Sequence, residues 1–116
     1  MKISIKDLRT LMAGTEGESP HTSVGKIVIV RCRDAGVHVG ELVSVSGRTV
    51  VLSGSHRIWR WRGANTLNEL ATYGASMNEY TRISEQAPGF LTLLEACEVV
   101  EATEDAARNL RTKRWL

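Results

Sequence analysis

Hydrophobic residues recur at two different periods along this chain. Within Ile5–Met12 they lie three or four positions apart, as on one face of a helix, and Ser4 stands where an N-cap is expected. From residue 26 onward the pattern changes to that of strands. The pattern predicts an N-terminal helix and polar linker over residues 1–25, followed by a single domain over residues 26–116.

Four strand-like segments open this domain, and turn sequences separate them. Asp34 and Gly36 lie in the first turn and Ser46-Gly47 in the second, where a positive φ or a side-chain acceptor is needed. This arrangement predicts an antiparallel meander of about four to five strands with one buried face. The segments are residues 26–32, 37–45, 48–53 and 55–61.

Helical signals return in the second half of the chain. Thr66–Glu69 has the capping-box pattern and predicts a helix over residues 67–73, and Thr103 followed by two acids predicts a last helix. A short strand is expected at Tyr80–Ile83. Residues 90–102 fit either a strand or a helix, with a terminal strand favoured. The expected fold class is α+β, an antiparallel sheet with two or three short helices.

Composition limits the class of partner. The 116 residues suffice for one domain, and a formal net charge of +2 is too small for a protein that binds long nucleic acid. Eleven of the fifteen basic residues are Arg. The guanidinium group suits phosphate and carboxylate recognition, but a GC-rich genome gives the same bias, so both interpretations stay open.

Cysteine and histidine usage argue against a metal site and against catalysis. Cys32 and Cys97 each lie in an apolar run without a CxxC motif, which predicts two buried thiols. The three histidines have no nucleophile motif beside them, and no phosphate-loop motif is present. No signal peptide or long apolar segment is recognised. A soluble, cytoplasmic protein without membrane contact, cofactor or enzymatic activity is expected.

The segment Arg57–Arg62 alternates basic and aromatic residues and is the strongest local signal. Stacked indole and guanidinium groups can hold a nucleobase and a phosphate together. The same alternation also describes a strand whose tryptophans fill the core, so ligand contact and core packing stay open. Period-two alternation predicts one side with His56, Ile58, Arg60 and Arg62, and the other with Arg57, Trp59 and Trp61.

The order of these segments resembles the phage anti-Thoeris sponge family of the first type. The resemblance implies a homo-oligomeric α+β protein that sequesters a cyclic ADP-ribose isomer, the signal of bacterial TIR-domain proteins, in the host cytoplasm without cleaving it. Cyclic di- or trinucleotides, the signals relevant to anti-CBASS activity, are implied as further ligands at subunit interfaces. The matching segments are Ile27–Arg31, Ala35–Gly40, Val50–Leu52, Arg57–Ala64, Thr66–Ala71, Glu95–Val100 and Thr103–Ala106.

The resemblance also implies roles for individual residues. Arg57 is expected to bind a phosphate and Tyr80 to stack on adenine, while Arg108 and Asn109 close the pocket from a partner subunit. The full expected ligand-binding set is Arg31, Gly36, His38, Arg57, Trp59, Trp61, Tyr80, Arg82, Arg108 and Asn109.

Two other functions remain open at this point. The chain could be a small module that contacts another protein through its N-terminal helix and the Trp115 tail, with Trp59 and Trp61 in the core. It could also bind single-stranded nucleic acid through the Trp/Arg strand, which would make binding strongly dependent on salt.

Overall fold

A computed structural model of the protein describes residues 21–114. It is an antiparallel α+β fold, as predicted, with six strands and two helices in the described part. The strands are β1 (Ile27–Cys32), β2 (Gly36–Ser46), β3 (Thr49–Arg60), β4 (Arg82–Ile83), β5 (Phe90–Leu93) and β6 (Ala96–Glu101), and the helices are α1 (Leu67–Tyr73) and α2 (Glu104–Leu110).

The sheet is strongly curled. Its order is β4-β3-β2-β1-β6, and β5 pairs with the first half of β3, on the side away from β2. β5 and β6 thus lie at opposite sides of the sheet, yet only Leu94 and Glu95 separate them in the chain. The two sides therefore approach each other, and Ala96 N donates a hydrogen bond to Arg48 O at 2.9 Å where they meet.

Curling gives the sheet two buried faces, so the prediction of one buried face is wrong. The inner face encloses Val28, Val30, Cys32, Leu42, Val50, Leu52 and Leu93. The outer face packs with the helices through Ile29, Val39, Ile58, Leu70, Ala71, Ala75, Ile83 and Leu110. Because β1 is buried on both sides, it begins as a continuous apolar run rather than an alternating one.

Both helices begin at the predicted caps. Thr66 Oγ1 accepts a hydrogen bond from Glu69 N at 3.2 Å, and the Glu69 carboxylate accepts one from Asn65 N. Thr103 Oγ1 accepts from Ala106 N and also donates to Thr72 O at 2.7 Å. The second cap therefore ties the start of α2 to the end of α1.

Several predicted element boundaries differ from the structure. The two segments 48–53 and 55–61 form one strand, β3, because β2 runs beside most of its length and continues the hydrogen-bonded ladder past Gly54. Residues 90–102 form two strands, with Glu95 at φ 61° in the turn between them. The strand expected at Tyr80–Ile83 is limited to Arg82–Ile83.

The predicted N-terminal helix over residues 4–13 and the Trp115 tail lie outside the described residues. The last part of the expected linker, by contrast, packs on the domain. Ser23 is buried and its hydroxyl donates to Glu101 Oε2 at 2.7 Å, and Gly25 N donates to Leu42 O. The folded domain thus begins before residue 26.

The two cysteines differ in environment. Cys32 is buried in the inner core, and burial raises the pKa of its thiol. Cys97 is exposed, contrary to the prediction, because the β1–β6 register shifts beside it and β6 is paired on one side only. Within residues 21–114, no helix is long and apolar enough to cross a bilayer, and no group of His, Cys, Asp and Glu is arranged to hold a metal ion.

Candidate functional site

β3 carries one extra residue where it meets β4. Ile58 pairs with Ile83 and Arg60 pairs with Arg82, so Trp59 and Arg60 together oppose one residue of β4. The predicted alternation therefore fails after Ile58, and Trp61 packs against the same core as Ile58 instead of lying on the opposite side. The bulge turns Arg60 and Arg82 to the face that also carries Arg57, away from the helices.

The bulge brings basic and aromatic side chains together in what we call the arginine–aromatic cluster: Trp59, Arg60, Arg62, Tyr80 and Arg82. The Cζ atoms of Arg60 and Arg62 lie 4.6 and 4.2 Å from the centre of the Tyr80 ring. Arg60 Cζ is also 5.2 Å from the Trp59 ring, and 51 % of Trp59 is exposed. These are cation–π distances, so the aromatic rings hold the guanidinium groups at the surface.

The cluster concentrates positive charge without local compensation. Arg60 of β3 and Arg82 of β4 are a directly opposed pair on neighbouring strands, where like charges repel. Within residues 21–114, neither they nor Arg62 form an ion pair with a carboxylate. Arg60 Nε donates to Tyr80 O at 2.7 Å and Arg82 Nη1 to Glu79 O at 2.6 Å, which orients both side chains. Their other N–H groups have no hydrogen-bond partner among the described residues.

The loop before β4 is organised around Tyr80. Asn78 Oδ1 accepts hydrogen bonds from Tyr80 N at 3.0 Å and Thr81 N at 3.3 Å. Thr81 is buried and its hydroxyl donates to Ser76 O at 2.6 Å. These local bonds fix the loop. The ring that contacts the arginines is therefore held in place by the fold.

Arg57, Gly36 and His38 meet next to this cluster. The Arg57 guanidinium passes so close to Gly36 that a Cβ there would lie 3.3 Å from Nη2, and among the described residues it has no hydrogen-bond or ion-pair partner. His38 faces Arg57 across β2 and β3, is buried, and donates from Nε2 to Ala35 O at 2.8 Å. Burial lowers the pKa of His38, the bond to Ala35 O opposes this, and the Arg57 charge adds to it.

Trp61 and Arg31, two further predicted residues, lie elsewhere, in an open cleft of about 360 Å³ beside the start of α1. Trp61 Nε1 donates to Ala64 O at 3.2 Å, and Arg31 forms an exposed ion pair with Glu98 at 3.3 Å. They thus lie on a different face of the sheet from the arginine–aromatic cluster.

The structure places Arg108 and Asn109 on α2. The Asn109 side chain accepts from Ala75 N at 2.8 Å and donates to Ala75 O at 3.0 Å, so its amide is engaged within the subunit. Arg108 pairs with Asp105 at 2.6 Å and lines a second cleft on the helix side. Neither reaches the arginine–aromatic cluster of its own chain through a hydrogen bond or ion pair.

Arg60 and Arg62 were absent from the predicted ligand-binding set, and strict alternation placed them on the face of Ile58. A charge count indicates them without any structure. No Asp or Glu occurs between Glu41 and Glu69, a stretch that contains Arg48, Arg57, Arg60 and Arg62. Arginines in such a stretch have no acidic neighbours in sequence, which favours a role in anion binding.

Comparison with known proteins gives a match to a protein family. A family model described as Domain of unknown function (DUF6948) matches residues 25–110. No curated protein and no solved structure matches this chain.

Proposed function

The chain belongs to the family described as domain of unknown function DUF6948, and we propose that it binds and sequesters a compact nucleotide anion without cleaving it. The observation that carries this proposal is the arginine–aromatic cluster. Arg60 and Arg82 repel each other across two strands, and a phosphate between them would relieve that repulsion with charge-assisted hydrogen bonds.

The aromatic part of the cluster favours a nucleotide over a simple anion. Nucleobases stack on indole rings and on guanidinium planes, and half of Trp59 is accessible beside Arg60. Arg57, adjacent along β3, extends the row of guanidinium groups on the same face. A ligand with both a base and two phosphates would use all of these groups at once.

Sequestration rather than catalysis is supported by the surroundings of the histidines. His38 Nε2 and His56 Nδ1 both donate to backbone carbonyls, at 2.8 and 3.0 Å, and His21 accepts from Ser23 N. These contacts give the histidines structural roles. A nucleophile with an adjacent base, which hydrolysis would need, is not formed by them within residues 21–114.

We propose cyclic ADP-ribose isomers, and secondarily cyclic di- or trinucleotides, as the ligands. This choice is supported by the resemblance of Arg57–Ala64 to anti-Thoeris sponges, and it implies a phage protein that acts in the bacterial cytoplasm and blocks effector activation. Completion of the pocket by a second copy of the chain, through Arg108, belongs to the same proposal.

Thermal unfolding with a ligand panel tests this function. At a ligand concentration of 100 times Kd, stabilisation is about 2.7 kcal/mol, which raises Tm by on the order of 10 °C. Arg60→Ala and Arg82→Ala should remove the shift, whereas Arg48→Ala, which alters the exposed Arg48–Glu95 pair at the other end of β3, should keep it. Equal shifts in all four proteins would refute the assigned site.

Protein contact is a second candidate, and one observation favours it. Phe90 and Leu94 are 72 and 65 % exposed at the β5 end of the sheet. Exposed apolar side chains at a sheet edge are typical of interaction surfaces. On this alternative, none of the cyclic nucleotides would shift Tm.

A further inference from the structure

A cleft of about 360 Å³ lies between α2 and β3, on the helix side of the sheet. Its floor includes His56, the neighbour of Arg57 in β3. Because adjacent strand residues point to opposite faces, this cleft is on the other side of the sheet from the arginine–aromatic cluster. It is lined by His56, Gln86, Ala107, Arg108 and Arg111.

Arg111 brings an uncompensated charge to this cleft. Its Nη2 donates to Gly54 O at 3.3 Å, and its other N–H groups have no partner among residues 21–114, including a buried Nε. Gly54 permits this placement, because its φ is +55° and a Cβ would lie only 2.7 Å from Arg111 Nη2. A guanidinium group held against backbone without a carboxylate is complementary to an anion.

Two further polar groups line the cleft. His56 Nδ1 donates to Ser84 O at 3.0 Å, and no partner of its Nε2 is part of the described structure. The Gln86 amide is also without a hydrogen bond there, 3.9 Å from the Gly54 Cβ position that Arg111 Nη2 approaches. The cleft thus presents several donors and one acceptor.

We infer that this cleft binds free inorganic phosphate, which keeps a P–OH group at neutral pH. Arg111 and Gln86 donate to its ionised oxygens, Arg108 adds positive charge beside its own pair with Asp105, and the P–OH donates to His56 Nε2. Sulfate, phosphodiesters and the dianions of phosphomonoesters have no such hydroxyl at neutral pH, so they would place a lone pair against Nε2. This preference separates the cleft from the proposed site for cyclic nucleotides, whose phosphates are diesters.

Calorimetric titration of the full chain with sodium phosphate, in a phosphate-free buffer of constant ionic strength, tests the inference. Sodium sulfate and dimethyl phosphate should bind about tenfold more weakly, because each leaves one hydrogen bond unmade. Ribose 5-phosphate should also bind more weakly than inorganic phosphate, because a phosphomonoester at neutral pH is mostly the dianion without a P–OH. Tighter binding of ribose 5-phosphate would contradict the preference for a P–OH group. Phosphate and sulfate of equal affinity, or no phosphate binding, would overturn the inference.

Variants assign the binding to this cleft. Arg111→Ala should weaken phosphate binding about tenfold or more, and Gln86→Leu, at an exposed position, should weaken it without disturbing the fold. Arg48→Ala, outside both sites, should leave phosphate binding unchanged. Arg111→Ala should keep cyclic-nucleotide binding, so loss of nucleotide binding and loss of phosphate binding are distinguishable. Phosphate binding that survives in Arg111→Ala and Gln86→Leu would contradict the assignment.

Discussion

Arg60 and Arg82 are paired residues of β3 and β4, and no carboxylate among residues 21–114 forms an ion pair with either. Two directly opposed like charges destabilise a strand pair. The position is therefore better suited to binding an anion than to stabilising the sheet. A carboxylate at either position would stabilise the sheet but would repel an anionic ligand. Substitution can therefore separate the two effects.

Arg82→Glu should separate these two requirements. It replaces a repulsive cross-strand pair with an attractive one, so the free energy of unfolding should rise by about 0.2–1 kcal/mol, while binding of an anionic nucleotide is lost. Urea unfolding and titration with cyclic nucleotides measure the two effects. Arg48→Glu is the matched control, because it breaks the exposed pair with Glu95 and should slightly lower stability without affecting binding. A destabilised Arg82→Glu variant that still binds would contradict the account.

Tyr80 should act through its ring and not through its hydroxyl. Both Arg60 and Arg62 lie over the ring, and no hydrogen bond of the hydroxyl is part of the described structure. Tyr80→Phe should therefore bind ligand within about threefold of wild type, whereas Tyr80→Ala should bind at least about tenfold more weakly through loss of stacking. Calorimetry on both variants measures this ratio, and equal losses in the two would exclude a stacking role.

Asn109 should contribute to stability, because both ends of its amide bond to Ala75. Asn109→Ala removes both bonds and should lower the free energy of unfolding by about 1–3 kcal/mol. Asn68→Ala is a suitable control, since Asn68 is an exposed residue of α1 whose side chain has no hydrogen bond among the described residues. Urea unfolding of both variants measures the difference in unfolding free energy. A change within about 0.5 kcal/mol in Asn109→Ala would return this residue to the ligand-binding candidates.

His38 should make stability depend on pH. Because burial lowers its pKa in the folded state, the unfolded chain takes up more protons below the ordinary histidine value of about 6.5. The contribution is fully present above that pH and is lost as the pH falls towards the lowered folded-state pKa, with a slope of at most about 1.4 kcal/mol per pH unit. Urea unfolding between about pH 7.5 and 5 should show this decline, and His38→Gln should flatten it. An equal slope in the variant would assign the decline to other groups.

The sequence was sufficient to predict β1, β2, the capping box at Thr66 and the last helix at Thr103, because these depend on local periodicity and capping chemistry. It was insufficient where distant segments meet. The bulge at Trp59 arises from pairing with β4, more than twenty positions away, and it reverses the face of Arg60 and Trp61. Curling of the sheet, which buries both faces of β1, likewise depends on the β5–β6 connection, although the continuous apolar run at the start of β1 is consistent with burial on both sides.

The candidate site was likewise predictable from the sequence only in part. Composition left anion recognition and genome bias open, and the Trp/Arg segment left ligand contact and core packing open. The association of Arg60 and Arg62 with Tyr80 required the loop fixed by Asn78. Of the residues selected from sequence, Arg57, Gly36 and His38 lie together, whereas Trp61 with Arg31, and Arg108, lie in separate clefts. A linear pattern cannot distinguish these places, because neighbouring strand residues point to opposite faces.

The most direct test of the central claim is isothermal titration of the purified protein with cyclic ADP-ribose isomers and with cyclic di- and trinucleotides, followed by chromatography of the ligand released by heat denaturation. The account predicts tight binding of at least one of them to wild type, loss of that binding in Arg60→Ala, and recovery of the ligand intact. The absence of heat with every ligand, or the recovery of a cleaved product, would contradict it.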